Sequence, residues 1–138
     1  MKVTLLSTLV ATGIAFATLS GAAQAKGRLV VYCSATNEMC ETETKVFGDK
    51  YDVKTSFIRN GSGSTLAKVD AEKKNPQADV WYGGTLDPQS QAGEMGLLQP
   101  YKSPNLEQIM TQFRDPAKVK GNLSSAVYVG ILGFGVNT

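Results

Sequence analysis

Gly61-Ser62-Gly63-Ser64-Thr65 is the stretch of this sequence best suited to hold a ligand. Glycine lets the backbone come close to a bound group, and each Ser or Thr hydroxyl can donate a hydrogen bond. Where such a stretch leads into a helix, the N–H groups of the first turn and the helix dipole favour negative charge. The chemistry on offer is capture of an oxyanion, such as a phosphate group. The same residues also fit a flexible turn with a serine helix cap, and taken alone they leave both readings open. Two further segments, Ser34-Ala35-Thr36-Asn37 and Gly83-Gly84-Thr85, are likewise built almost wholly from Gly, Ser, Thr and Asn.

Other chemistries find little support. The Gly-Lys-Ser/Thr ending of a nucleotide-hydrolysing loop is missing, and Gly61-x-Gly63 lacks the third glycine of a dinucleotide fingerprint. The chain has no histidine, and no evident base stands near a Ser or Cys in the sequence, so catalysis is not expected. Zinc is not expected either, because Cys33 and Cys40 are the only cysteines. In an oxidising compartment that pair reads as a disulfide, the alternative being two small buried apolar side chains. Arg59 could bring positive charge to the site or be a solvated residue at a strand end. Trp81 and Tyr82 read as core, although either ring could edge a pocket.

The elements that must position these segments follow from hydropathy. Residues 28–33 (RLVVYC) form a β-branched run suited to a strand buried on both faces. Asn37 can cap a helix running to about Lys50, with Met39, Thr42, Val46 and Phe47 on one side. Residues 53–58 read as a second strand, 66–74 as a helix fed by the glycine-serine loop, and 77–82 (QADVWY) as a third strand. Asp87-Pro88 suits the start of a short helix stopping near Gly96. Leu106, Ile109, Met110 and Phe113 mark another amphipathic helix, and residues 126–136 one or two strands broken by glycines. This alternation predicts an α/β fold with a mainly parallel sheet flanked by helices. In such a sheet the ligand crevice lies beyond the carboxyl ends of the strands, and all three polar segments fall there.

The beginning of the chain reads as an export signal. Met1-Lys2 is followed by an uncharged apolar run over 3–19 and by Ala23-Gln24-Ala25, a small-x-small cleavage pattern. A membrane anchor is the weaker alternative, because Thr and Ser dilute the run and no stop-transfer charges follow. Lys26 and not a Cys directly follows Ala25, which argues against a lipid anchor. Removing 25 of the 138 residues leaves a mature chain of 113 starting at Lys26. With 14 basic and 12 acidic residues and no basic run, nothing suggests a nucleic-acid partner. The last residues, Val136-Asn137-Thr138, follow an apolar stretch directly, and the sequence reads as the N-terminal fragment of a longer protein.

RLVVYCSATN, SFIRNGSGSTLAKVDAEKKNPQADVWYGGT and GLLQPY, in that order and spacing, resemble the first lobe of the ferric-ion-binding family of periplasmic binding proteins (type II). Within it the likeness is to the hexose-phosphate-binding members. The resemblance implies two α/β lobes joined by crossing strands, with ligand in the cleft between them. Residues 26–122 would then form most of the first lobe and 123–138 the start of the crossover, the second lobe lying beyond this chain. It further implies the substrate-binding component of an ABC importer: periplasmic, monomeric when full length, served by an inner-membrane permease, neither an enzyme nor dependent on a cofactor. Iron-binding relatives carry a His where this chain has Thr36 and a Glu where it has Gly84. Neither replacement offers charge to a ferric ion, so no metal is expected. A sugar phosphate such as glucose 6-phosphate fits better. By resemblance Ser34, Thr36 and Asn37 contact the ligand, Ser62, Gly63, Ser64 and Thr65 hold its phosphate, and Gly84 and Thr85 complete the wall. A receptor for ferric iron or another oxyanion is the alternative within the family, and an exported sugar-phosphate hydrolase the alternative outside it.

Overall fold

A computed structural model describes residues 27–114, 120–130 and 133–136; the expected export signal and parts of the expected crossover lie outside them. β1 (Arg28–Cys33) runs between two parallel neighbours, β2 (Lys54–Arg59) and β3 (Val80–Tyr82), in the sheet order β2-β1-β3. The Val-Val-Tyr-Cys run suits this central place, since such a strand is covered on both faces. Alternation sends Val31 and Cys33 to one face, where they join Ala35 and Cys40, with Leu29, Met39, Phe57 and Tyr82 packed against them. Tyr32 turns to the other face and is also fully buried. There its hydroxyl donates to Glu72 Oε2 at 2.6 Å, and Lys68 Nζ reaches Glu72 at 2.7 Å. Helix α1 (Asn37–Tyr51) supplies Met39 and Cys40 to the first face. Helix α2 (Ser62–Ala71) covers the second and packs beside α3 (Leu86–Glu94). The expected α/β arrangement, a parallel sheet flanked by helices, is what the chain adopts.

Several boundaries differ from expectation. Thr36, not Asn37, caps α1, because the Cys40 N–H finds its carbonyl partner in Thr36 at 3.0 Å and so draws the first turn one residue back. α2 starts at Ser62 instead of residue 66: Gly61 is extended, and the Thr65 N–H already bonds its carbonyl at 2.9 Å. The glycine-serine segment is therefore the first helical turn and not a loop before it. α3 is capped at Thr85, which places Asp87 and Pro88 inside its first turn, where a missing N–H costs no helical bond. β3 is only three residues long because Asp79 clamps Val30 from both sides: its N–H donates to the Val30 carbonyl at 2.9 Å and its carboxylate accepts the Val30 N–H at 2.8 Å.

The inward side of α1 also differs. Cys40, Thr44 and Gly48 face the sheet, while Thr42, Val46 and Phe47 are exposed. Gly48 explains this choice, since a Cβ there would lie 2.9 Å from the Val53 carbonyl oxygen, so only a small side lets the helix settle. In place of one amphipathic helix, Leu106–Gln108 and Thr111–Phe113 form separate 3-10 turns, interrupted by extended backbone at Ile109 and Met110. The described parts of 126–136 form no strand, for want of a strand to pair with among the described residues.

Lys68 first, and then the Tyr32 hydroxyl, hold the Glu72 carboxyl below its ordinary value, whereas burial first, and then Glu72, raise that of Tyr32. A depressed carboxyl contributes stability above its unfolded value, near 4.5, and loses it as pH falls through the folded one. Glu72→Gln should therefore lower Tm at neutral pH and flatten the decline of Tm below pH 4.5. Thermal melts of full-length protein across pH test this, and an unchanged acid limb would show that the cluster carries no such linkage.

Candidate functional site

The three strands end level. Cys33 is the register partner of Arg59 in β2 and of Tyr82 in β3. The ladder continues one step beyond: the Asn60 N–H donates to the Cys33 carbonyl at 2.9 Å and the Ser34 N–H to the Tyr82 carbonyl at 2.8 Å. Segments 34–36, 60–61 and 83–85 thus leave the sheet side by side, each opening a helix. Cys33 and Cys40, both fully buried, are joined in a disulfide that ties the end of β1 to the first turn of α1. It brackets the first of the three segments, so that segment is short, cross-linked and anchored at both ends.

Hydrogen bonds connect the segments to one another. Trp81 Nε1, which can only donate, bonds Ser34 Oγ at 3.0 Å. Ser34 Oγ lies 3.1 Å from Thr65 Oγ1, and the Thr65 hydroxyl donates to the Gly61 carbonyl at 3.1 Å. With the Thr65 proton spent on Gly61, the Ser34 proton must go to Thr65. The relay therefore runs Trp81 to Ser34 to Thr65 to Gly61, and it uses both hydroxyl protons within the protein. Thr65 is 0% exposed and its N–H is bonded as well, so its place is behind the site, as a support. Trp81, read as core from the sequence, anchors the first segment through its indole N–H.

The third segment locks onto the second. The Thr85 N–H donates to Ser62 Oγ at 3.0 Å, and the Gly84 N–H donates to the Tyr128 hydroxyl at 2.8 Å. Gly84 has φ +88°, and a Cβ there would stand 2.3 Å from Ser62 Oγ and 2.7 Å from Ser34 Cβ. Only glycine lets the three segments meet. Tyr128 was not found from the sequence: it stands in a run of apolar residues, and no spacing rule ties it to a glycine 44 positions earlier.

Thr36, Asn37, Gly63, Ser64 and Thr85 are exposed, and Ser34, Ser62 and Gly84 are half-buried. Arg59 is exposed and its Nε donates to the Ala35 carbonyl at 3.0 Å, which holds a fixed positive charge beside the first segment. The three helix N-termini are not equivalent. α1 has a Thr36 cap and Glu38 in its first turn, and α3 has Asp87. α2 has a glycine cap that offers no side chain, and no acidic residue in its first turn. Its leading N–H groups have no helical partner and no nearby carboxylate of their own turn to offset their dipole. This arrangement can donate several hydrogen bonds to an anion. Among the described residues no group of three His, Cys, Asp or Glu could hold a metal ion. Burial, then Glu43 and Tyr128, raise the Tyr82 hydroxyl above its ordinary value, so it stays a neutral phenol beside these segments. An open groove of about 780 Å³ between α1 and β2 includes none of the loop residues named here.

Gly84→Ala should cost roughly 2–4 kcal/mol of stability, from the left-handed backbone and the steric overlap together. Gly63→Ala, whose added Cβ meets nothing within 4 Å, should be close to neutral. Denaturant unfolding of both full-length variants checks the contrast, and equal losses would contradict the close approach at Gly84.

No family model matches the chain. The periplasmic binding protein AfuA from Actinobacillus pleuropneumoniae, solved with exogenous fructose 6-phosphate bound, is 80% identical with a TM-score of 0.75; the match covers 78% of this chain and 34% of that one. The periplasmic binding protein P5PA is 48% identical with a TM-score of 0.66, over 70% of this chain and 31% of that one. An uncharacterised protein of Haemophilus influenzae is 69% identical over 130 residues, which are 94% of this chain and 37% of that protein. The chain thus spans about a third of the length of the relatives it matches. In sequence and in fold alike, these residues resemble part of a periplasmic binding protein.

Proposed function

We propose that this chain belongs to a periplasmic receptor that binds a sugar phosphate, such as glucose 6-phosphate, and passes it to the inner-membrane permease of an ABC importer. The observation that carries the reading is the α2 N-terminus. It has a glycine cap and no first-turn carboxylate, and Ser34, Ser62 and Gly84 meet beside it. Unpartnered N–H groups and the uncommitted hydroxyl proton of Ser62 suit a phosphate, whose oxygens only need donors. Arg59 adds charge at the rim. The 80% identity to a protein seen with fructose 6-phosphate supports the same ligand class. In this reading residues 1–25 direct export, 26–122 form most of one lobe, and 123–138 begin the crossing to a second. Ser34, Thr36, Asn37, Ser62, Gly63, Ser64, Gly84 and Thr85 line the ligand side, with Thr65 supporting them from behind. The receptor works as a monomer, binding without turnover.

An iron receptor is disfavoured by the same geometry, because Gly84 has no room for a carboxylate and Thr36 is spent as a helix cap. Calorimetric titration of the full-length mature protein with glucose 6-phosphate, fructose 6-phosphate, glucose, inorganic phosphate and ferric citrate decides among these ligands. Tight binding of a sugar phosphate alone is expected; binding only ferric citrate would overturn the ligand, and release of inorganic phosphate would replace the receptor with a hydrolase.

Gly63→Asp gives a sharper test. It sets a carboxylate on the first turn of α2, at a position where an added Cβ meets nothing within 4 Å and a negative charge suits the helix dipole. Tm should hold or rise slightly, while sugar-phosphate affinity should fall by about a hundredfold or more through like-charge repulsion. Retained affinity would place the phosphate elsewhere.

A further inference from the structure

Hydroxyls at this edge of the sheet differ in where their protons go. Ser34 and Thr65 spend theirs inside the Trp81-to-Gly61 relay. Ser62 and Tyr128 do the opposite. Each accepts a backbone N–H, from Thr85 at 3.0 Å and from Gly84 at 2.8 Å, and neither hydroxyl proton has an acceptor among the described residues. A phenol or serine oxygen that accepts one N–H still carries one proton to donate. Consecutive N–H groups of one segment therefore hold the oxygens of two O–H donors beside Gly84. A Cβ at Gly84 would lie 2.3 Å from Ser62 Oγ, and one at Gly83 would lie 3.3 Å from the Tyr128 hydroxyl, so both oxygens are held tightly against the segment. Tyr128 is nonetheless 41% exposed, which leaves its free side open.

We infer that Tyr128 is a ligand-contacting residue whose hydroxyl, paired with that of Ser62, donates to an oxygen of the bound anion across Gly84. The inference rests on the sugar-phosphate reading above and adds a residue to it from an irregular segment, 124–130, far along the chain. It also gives that segment a part in binding: a ligand that accepts the Tyr128 proton tightens the link between it and the 83–85 turn.

Two substitutions in the full-length protein test this, with glucose 6-phosphate as the probe. Tyr128→Phe keeps the ring and removes the hydroxyl, and should weaken binding about tenfold or more, the scale of a lost hydrogen bond to a charged group. Replacing Tyr128 by 3-fluorotyrosine makes the hydroxyl a better donor and a poorer acceptor. Titrated at about pH 6, well below the tyrosine range, that variant should bind more tightly than the parent. A residue that merely holds the Gly84 N–H would instead weaken with fluorine as it does with Phe, and that result overturns the inference. Unchanged affinity in both variants overturns it as well. If the parent protein itself fails to bind glucose 6-phosphate or fructose 6-phosphate, the receptor reading falls first and takes this one with it.

Discussion

Parallel pairing of β1 with both of its neighbours, ending level at Cys33, Arg59 and Tyr82, is the constraint from which the rest of the molecule follows. A parallel strand needs a crossover, and each crossover here is a helix whose N-terminus must start at the same edge of the sheet. Were any strand longer by two residues, its segment would leave the sheet several ångströms further out, because a strand advances about 3.3 Å per residue. The level ending lets Ser34, Ser62 and Gly84 come into contact. It also allows the two extra ladder bonds, Asn60 to Cys33 and Ser34 to Tyr82, that hold the segments against the sheet edge.

Packing of this edge depends on small residues and on commitments made behind it. Gly84 meets Ser62 and Ser34 at distances that no side chain tolerates, and the buried Thr65 passes a hydrogen bond from Ser34 to Gly61. A polar group buried without a partner would cost free energy, and every member of the relay has one. Other polar groups are left exposed at this edge. They include the leading N–H groups of α2 and the outward hydroxyls. Such preorganisation favours a ligand of defined shape over a diffuse counter-ion, since little entropy remains to be lost when it binds. Charge contributes modestly: Arg59 is held at the rim by the Ala35 carbonyl, and α2 alone among the three helices starts without an acidic residue or a side-chain cap.

The α1 surface shows the same rule from the opposite side. Cys40, Thr44 and Gly48 turn inward because the helix sits close to β2, and the larger Val46, Phe47 and Tyr51 are left outside. Hydrophobicity alone points the other way, toward Val46 and Phe47 as the packed residues. Close approach of two backbones outweighs the burial of larger apolar groups when a disulfide and a short crossover already limit where the helix can lie.

Much was legible in the sequence because it was local. The RLVVYC run suits a strand covered on both faces, the strand–helix alternation points to a parallel α/β sheet, and three segments of Gly, Ser, Thr and Asn then fall at its carboxyl edge. Their residue types are neutral hydrogen-bonding groups, which suit an oxyanion and a capped turn alike. Helix starts were displaced by one to four residues, because Asn37, Ser62 and Asp87 can each stand at a cap or inside a first turn, and only the hydrogen-bond partner of the next turn chooses. The 3-10 turns near Leu106 and the lack of a strand among the described residues of 126–136 depended on neighbours that no periodicity reveals. The tertiary structure alone decided which hydroxyls are spent and which are free, and it alone brought Tyr128 to Gly84. A hydroxyl's role depends on where its proton goes, and that is settled by contacts between residues far apart in the chain.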